Sequence, residues 1–159
     1  MIEAKNITKS YGNVEILKGI DITVKKGELI SIVGASGAGK TTLLQILGTL
    51  ERPDAGSYRV GEQEPFKMSQ KQLAKFRNES VGFVFQFHQL LPEFSALENA
   101  ILPALIRGDN KQEAEKRAKD LFSFLNLRNR DSHKPSALSG GEQQRVAVAR
   151  ALINGPKVI

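Results

Sequence analysis

The sequence predicts an α/β fold, and three observations point to it. An apolar run at 29–33 leads into a glycine-rich segment at 34–41, and a helix-like stretch follows at 42–47. A second apolar run lies at 81–85. The first segments of the chain alternate apolar and polar residues, as antiparallel strands do. Since short apolar runs are typical of buried parallel strands, we expect a parallel core accompanied by an antiparallel part.

Composition narrows the class of protein. The chain has 159 residues, the length of about one domain, and no Cys, which excludes disulfides and cysteine metal sites. Its net charge is +6, but the basic residues are scattered, so we favour a solvated surface over a nucleic-acid or anionic-membrane contact. No apolar run approaches the roughly 18 residues of a membrane helix, and the N-terminus has no apolar leader. We therefore expect a soluble, cytoplasmic protein.

The first 28 residues predict an antiparallel β part. Apolar residues recur in short stretches that are separated by turn sequences at 11–13 and 25–27. A further short strand is expected at 57–60, between two glycines. We assign residues 1–28 and about 56–64 to this antiparallel part.

The glycine-rich segment carries the strongest chemical signal. Such a loop, ending in Lys-Thr between a strand and a helix, is the P-loop pattern of nucleoside triphosphate-binding proteins. Its glycines let backbone N–H groups converge on phosphate oxygens, and the helix start adds a favourable dipole. We expect Lys40 to reach the β and γ phosphates and the Thr41 hydroxyl to ligate Mg²⁺. The predicted phosphate-binding residues are Gly34, Ala35, Ser36, Gly37, Ala38, Gly39, Lys40, Thr41 and Thr42.

An ordinary glycine turn joining a strand to a helix is the alternative interpretation of this loop. The Lys-Thr pair at the required offset and both flanking elements favour the P-loop. We assign residues 29–50 and 81–86 to the P-loop core.

Residues from about 87 to 154 are predicted to form a helical subdomain. Ser95 and Glu98 have capping-box spacing at a helix start, and Pro103 is expected to kink or interrupt that helix. A second helix is predicted at 111–125, where a single apolar stripe indicates packing on its own domain. For His88 we favour an interface or packing role over a metal-ligand or general-base role, because no second His is near in sequence.

A second glycine motif, at 138–145, opens a further predicted helix that stops at 154–156. Ser139, Gly140 and Gly141 stand at its start, where the missing side chains would let a phosphate approach free N–H groups. Alone, this sequence would more often be a simple cap and turn. Downstream of a P-loop, it indicates a second phosphate-contacting element.

Together these motifs resemble the ATP-binding subunit of ATP-binding-cassette (ABC) transporters, and the resemblance covers essentially the whole chain. Residues 138–142 match that family's signature sequence, Gln86 matches the glutamine that ends its Q-loop strand, and Tyr11 matches its adenine-stacking aromatic residue. Residues 85–99 resemble the lipoprotein-releasing branch, whose neighbours serve macrolide-type exporters and cell-division complexes.

The resemblance implies a P-loop NTPase with a RecA-like core, an antiparallel β front segment and an inserted helical subdomain. It also implies a head-to-tail homodimer in which the P-loop of one subunit and the signature residues of the other enclose ATP and Mg²⁺. Lys40 and Gln86 would act in catalysis, and Thr41 and Gln86 would contact the metal. Integral-membrane permease subunits would dock near 86–99, at the inner face of the bacterial inner membrane.

Two alternative functions stay open at this point. One is a soluble ABC-type ATPase acting on DNA or ribosomes, although such relatives usually carry a long insertion that is absent between 86 and 138. The other is a nucleotide-binding module without turnover.

The resemblance places a catalytic Glu on a strand that 157–159 would begin. We therefore expect an N-terminal portion of a longer ATPase, without the C-terminal part of the core, that hydrolyses ATP weakly or not at all.

Overall fold

The computed structural model describes all residues from 1 to 159. It divides into two compact units, residues 1–74 and residues 75–159. None of the helices is both long enough and apolar enough to cross a membrane. The finer subdivision expected from the sequence, with 29–50 and 81–86 in one core and 87–154 in a helical subdomain, stays a prediction.

The first unit is built on a three-stranded antiparallel sheet, as predicted for the front of the chain. Ile2 pairs with Val24 on one side and with Val60 on the other, which defines the register of both ladders. A turn at 12–13 joins the first two strands. In the spatial order β2-β1-β3, the strands are β1 (Ile2–Tyr11), β2 (Val14–Val24) and β3 (Ala55–Val60).

A short helix, α1 (Lys40–Leu47), packs its apolar side into the core of the first unit. Ile46 on this helix and Ile7 on β1 are completely buried. The Tyr58 hydroxyl on β3 donates a hydrogen bond to the Leu47 carbonyl oxygen at 2.5 Å. Burial raises the pKa of Tyr58, so this hydroxyl remains a donor at neutral pH. The sheet therefore holds the end of the helix that follows the glycine-rich loop.

The strand predicted at 29–33 is not formed, which corrects one expectation for the core. Residues 28–35 have no regular secondary structure, and Leu29 and Val33 are 97% and 84% exposed. A strand exists only where a neighbouring chain segment exchanges backbone hydrogen bonds with it. No ladder or bridge of the structure includes this segment. An apolar sequence pattern is therefore not sufficient by itself to form a strand.

The second unit is helical, and the helices expected near 96, 111 and 140 are all present. The helices α3, α4 and α5 pack on one another around a shared core. Many of the core residues are alanines, whose small side chains allow the helices to approach closely: Ala96, Ala100, Ala104, Ala114, Ala118 and Ala149. These helices are α3 (Ala96–Arg107), α4 (Lys111–Phe124) and α5 (Gly140–Leu152), and an earlier helix, α2 (Gln70–Ser80), begins in the first unit and ends in the second. Short 3-10 turns lie at Pro65–Lys67 in the first unit and at Pro135–Ala137 in the second.

Helix α2 was not predicted, although its start carries a recognisable signal. Ser69 and Gln72 form a capping arrangement in which the Ser69 backbone N–H donates to Gln72 Oε1 at 3.0 Å. The Gln72 N–H donates back to Ser69 Oγ at 3.4 Å. The Ser-x-x-Gln spacing is a signal for the start of this helix. The apolar residues of the segment show only a weak helical periodicity, so the helix was not predicted.

Pro103 does not interrupt α3, which excludes one of the two outcomes predicted for it, a kink or an interruption. The helix continues through it to Arg107 and ends at Gly108 in the left-handed conformation. Proline removes one intrahelical hydrogen bond, the one that the Asn99 carbonyl would accept. The Pro103 carbonyl oxygen is in turn bonded by the side-chain amides of Asn78 and Asn154, at 3.0 and 3.2 Å. Tertiary packing and these side-chain bonds override the local preference.

The second predicted parallel strand, at 81–86, is also corrected. Val81 makes a single parallel bridge to Val158, and the Gly82 N–H donates to the Val158 carbonyl oxygen at 2.8 Å. Residues 82–85 form no ladder, and Gln86 lies in the turn that follows. As at 29–33, strand formation depends on partners that the local sequence does not specify.

Candidate functional site

The glycine-rich loop at 34–41 connects the irregular segment 28–35 to α1 and is mostly exposed. Gly39 is the N-cap of α1 and has φ of +82°, in the left-handed region that favours glycine. A Cβ at Gly39 would lie 2.8 Å from Ile16 Cγ2 and 2.9 Å from Leu17 Cδ2. Both the backbone conformation and the closeness of β2 therefore require glycine here.

Lys40 directs its side chain back into the loop. Its ammonium donates to the carbonyl oxygens of Gly34 at 2.9 Å and Ala35 at 2.6 Å. At the start of α1, the first backbone N–H groups have no partner within the helix. The loop thus places an ammonium group beside the positive end of a helix whose first N–H groups are free to donate, and Thr41 is exposed next to them. This donor set fits a polyphosphate with a bound Mg²⁺ ion.

Tyr11, at the end of β1, lies beside the helix that follows this loop. Its side chain is 47% exposed. The hydroxyl lies near Glu51 and near Thr42 on α1. Desolvation raises the pKa of Tyr11 most, the nearby Glu51 raises it further, and Thr42 acts in the opposite direction. The aromatic residue therefore lies close to the phosphate-loop helix within the first unit.

Glu51 and Lys9 surround Tyr11 with charge. Lys9 Nζ lies 3.0 Å from Glu51 Oε1 and 3.2 Å from Asp54 Oδ1. The bond from Lys9 is the main reason that the pKa of Glu51 is lowered, and the bond from Tyr11 is the second. Glu51 also raises the pKa of Lys9. Neither Lys9 nor Glu51 was predicted from the sequence, because a single charged residue carries no pattern.

In the second unit, Ser139 is the N-cap of α5 and forms a complete capping box with Glu142. Glu142 Oε2 accepts hydrogen bonds from the Ser139 N–H at 2.8 Å and the Ser139 hydroxyl at 2.9 Å. Arg130 Nε donates to Glu142 Oε1 at 2.6 Å. Arg130, and then Ser139, lower the pKa of Glu142 to about 2. The capping box holds the helix start in a defined conformation.

Gly140 and Gly141 are not explained by the structure of their own unit. A Cβ at Gly140 would meet nothing within 4 Å, and at Gly141 it would reach only the Arg145 side chain at 3.4 Å. Both glycines are exposed, and neither has a positive φ. Internal packing therefore gives no reason for two glycines at this helix start.

Gln86 is exposed in a turn, and the residues after it are held by an arginine that the sequence analysis missed. His88 and Gln89 both have positive φ, +57° and +46°. Arg150 on α5 donates to their carbonyl oxygens, each at 2.7 Å. Arg150 is partly buried, and desolvation lowers its pKa. The turn after Gln86 is thus tied to the helix that begins with Ser139.

Asn99 anchors the next part of the same segment. Its side chain is completely buried, and its amide nitrogen donates to the carbonyl oxygens of Leu91, Phe94 and Ser95 at 3.0 to 3.1 Å. Asn99 Oδ1 accepts from the Leu91 N–H at 2.8 Å. No sequence pattern distinguishes this Asn from an exposed one. The sequence therefore predicted the capping box of this segment but not the bonds of Asn99.

Comparison with known proteins agrees with the motifs. Residues 17–159 match the ABC transporter family, and the chain belongs to that family of ATP-binding proteins. The "Lipoprotein-releasing system ATP-binding protein LolD" of Bacteroides thetaiotaomicron is 59% identical over the whole chain, which covers 73% of that protein. The protein of the same name from Porphyromonas gingivalis is also 59% identical, with the same 73% covered.

Solved structures agree on the fold. A structure of MJ0796, described as a bacterial ABC transporter cassette in dimeric form, superposes with a TM-score of 0.91 at 40% identity and covers 98% of this chain and 71% of that one. A second structure of the same cassette, described as a post-hydrolysis state bound to ADP and Pi, superposes with a TM-score of 0.90. The predicted fold class, a P-loop NTPase with an antiparallel β part and helices, is confirmed.

Proposed function

We propose that this chain is the ATP-binding, energy-coupling subunit of a bacterial lipoprotein-release complex, in which ATP hydrolysis drives a membrane permease. The observation that carries the proposal is the loop at 34–41, where Gly39 has a left-handed backbone at the start of α1 and the Lys40 ammonium folds back onto the Gly34 and Ala35 carbonyl oxygens. The LolD relatives, 59% identical over the whole chain, support the lipoprotein-release branch.

Each loop residue has a separate task in this proposal. Backbone N–H groups of Gly37, Gly39 and the first turn of α1 would bind phosphate oxygens, and Lys40 would neutralise the β and γ phosphates. Thr41 would ligate Mg²⁺, whose charge favours phosphoryl transfer. Gln86 would contact the metal or the attacking water. Tyr11 would stack on the adenine.

A head-to-tail homodimer would complete the site. Ser139, Gly140 and Gly141 would bind the γ-phosphate held by the P-loop of the other subunit. Open space at Gly140 and the absence of an internal reason for glycine support this role, because a phosphate reaches a helix N-terminus only where side chains do not block it. Loss of the bridging phosphate charge after hydrolysis would loosen the dimer.

The permease would dock on residues 86–99, with the protein held at the inner face of the inner membrane. This segment exposes apolar side chains, of which Phe87 is 82% exposed and Phe94 is 39% exposed. Arg150 and Asn99 hold its backbone in one conformation. A preformed apolar surface suits the docking of a partner helix.

The first test is the affinity for Mg-ATP with and without the loop lysine. Lys40→Ala should abolish or severely weaken binding, because it removes the charge that faces the β and γ phosphates. Lys67→Ala, on an exposed 3-10 turn of the same unit, is the matched control and should bind normally. Unchanged affinity in Lys40→Ala would reject the phosphate-binding role.

We further propose that residues 1–159 hydrolyse ATP weakly or not at all, because no carboxylate in them matches the family's catalytic Glu. The LolD relatives are longer, and the chain covers 73% of each. Turnover should be measured beside a chain extended through the strand that is expected to carry the catalytic Glu. Activity only in the extended chain supports the proposal. Equal activity in both would mean that another residue activates the water.

A further inference from the structure

Tyr11 is surrounded by charged residues that phosphate binding does not use. Lys9 is at their centre, and its side chain is only 13% exposed. Besides pairing with Glu51 and Asp54, the Lys9 ammonium donates to the Arg52 carbonyl oxygen at 2.9 Å. Three acceptors therefore fix the position of one lysine next to the aromatic ring.

Lys9 lies over one side of the Tyr11 ring. The distance from Lys9 Nζ to the ring centroid is 5.5 Å, within the range of a cation–π contact. The two residues are two positions apart on β1, where alternate side chains share a face. Since Tyr11 is 47% exposed, part of the ring remains accessible to a planar ligand.

The ring is connected to the phosphate-loop helix through Lys9 and Glu51, whose side chains pair at 3.0 Å. The Tyr11 hydroxyl also lies near Glu51, beyond the end of α1, and near Thr42, in its first turn, and both influence its pKa. Glu51 is itself held by its backbone N–H, which donates to the Gln45 carbonyl oxygen of α1 at 3.2 Å. The ring and the helix that begins at the phosphate loop therefore form one connected unit.

We propose that Lys9 and Glu51 are positioning residues, which hold the Tyr11 ring at a defined place relative to the phosphate loop so that it stacks on the adenine of a bound nucleotide. This inference rests on the proposed ATP binding. Glu51 acts through Tyr11 and does not touch the nucleotide. Its removal therefore weakens the part of the affinity that depends on the base and leaves the part that depends on the phosphates.

The test compares affinities for Mg-ATP and for magnesium tripolyphosphate, which has the phosphates without the base. Stacking of a base on an aromatic ring contributes about 1–3 kcal/mol, so a misplaced ring should weaken ATP binding about tenfold. We expect this loss in Glu51→Ala, with tripolyphosphate affinity unchanged. Glu64→Ala, which breaks the surface pair with Lys67 in the same unit, is the matched control and should change neither affinity.

A double-mutant cycle with Tyr11→Ala separates positioning from general destabilisation. In the Tyr11→Ala background, Glu51→Ala should have no further effect on ATP affinity, because the ring that it positions is gone. Tyr11→Phe, which keeps the ring but loses the hydroxyl that lies near Glu51 and Thr42, should reproduce the effect of Glu51→Ala. An equal loss for ATP and tripolyphosphate, or additive losses in the double variant, would overturn the inference.

The same measurements distinguish failure of this inference from failure of the proposed function. If the wild-type chain binds tripolyphosphate and ATP equally well, the base contributes nothing and the positioning role is rejected, while phosphate binding stands. If the wild-type chain binds neither ligand, both the inference and the proposed ATP binding are rejected.

Discussion

At the scale of single residues, the chemistry of the phosphate loop depends on backbone shape as much as on Lys40. Gly39 combines a left-handed backbone with close contact to β2, whereas Gly37 has nearly the same φ, +80°, and open space around its Cβ position. The two glycines thus differ in one property only, the room available for a methyl group. This difference allows conformational strain to be measured separately from steric conflict.

Gly39→Ala should lower stability more than Gly37→Ala. Both variants lose roughly 1–2 kcal/mol because L-residues disfavour positive φ. Gly39→Ala should lose about 1–3 kcal/mol more, since its methyl group forces apart the side chains of Ile16 and Leu17. Denaturant unfolding of both variants measures the difference. Equal losses of unfolding free energy in the two variants would show that the side chains of β2 move aside without destabilising the protein.

Glu142 should make the helix start of α5 sensitive to acid. Its pKa is lowered to about 2 by Arg130 and Ser139, so its stabilising effect is complete above the unfolded-state pKa of about 4.3 and is lost as pH falls toward 2. Glu142→Gln lacks this titration. The difference in unfolding free energy between wild type and Glu142→Gln should therefore shrink between pH 5 and pH 2, and a constant difference over that range would contradict the assignment.

At the scale of elements, the segment 86–95 has its conformation imposed from outside. It contains no helix or strand, yet Arg150 and Asn99 bond five of its carbonyl oxygens. Its shape therefore depends on α3 and α5, which supply these side chains. A change in either helix would be transmitted to the surface on which we propose that the permease docks.

Asn99→Ala should destabilise the second unit and loosen this segment. The substitution removes the Asn99 hydrogen bonds to the Leu91 N–H and to three carbonyl oxygens, each of which contributes about 0.5–1.5 kcal/mol. We expect faster amide hydrogen exchange at 91–95 and a loss of about 3 kcal/mol in unfolding free energy. Gln112→Ala, on the exposed side of α4, is the control. Unchanged exchange at 91–95 would show that Asn99 does not hold the segment.

At the scale of the whole molecule, the proposed function requires two copies of the chain, because in it the phosphate loop and the second glycine motif would contact one ATP from different subunits. The capping box makes Ser139 part of a rigid helix start. A bulky, positively charged side chain at position 139 would collide with the phosphates of the opposing site and would be repelled by its Lys40.

Ser139→Arg should therefore block ATP-driven dimerisation while leaving ATP binding by the monomer largely intact. The chain extended through the expected carboxylate strand is the suitable form for this measurement, with mass determined by sedimentation in Mg-ATP. Ser139→Ala is the control for loss of the cap, which costs about 1 kcal/mol without adding bulk. If Ser139→Arg lost binding and dimerisation together, the assignment of Ser139 to the opposing site would be wrong.

Local sequence determined those features that depend on near neighbours. The turn at 12–13, the capping boxes at Ser95 and Ser139 and the loop at 34–41 are each specified within a few residues, because their hydrogen bonds and backbone angles are local. The family was predicted from Tyr11, the glycine-rich loop, Gln86 and the second glycine motif, which occur in that order along the chain. For the same reason, the three-stranded antiparallel sheet was predicted from its alternating residues and turns.

Only the tertiary structure decided what depends on distant partners. The apolar runs at 29–33 and 81–85 do not form ladders, and Pro103 stays inside a helix, because strand pairing and helix packing involve residues far apart in sequence. The roles of Lys9 and Glu51 also became visible only in the fold. These residues are 42 positions apart, and the sheet and α1 bring them together around Tyr11 at 3.0 Å from each other.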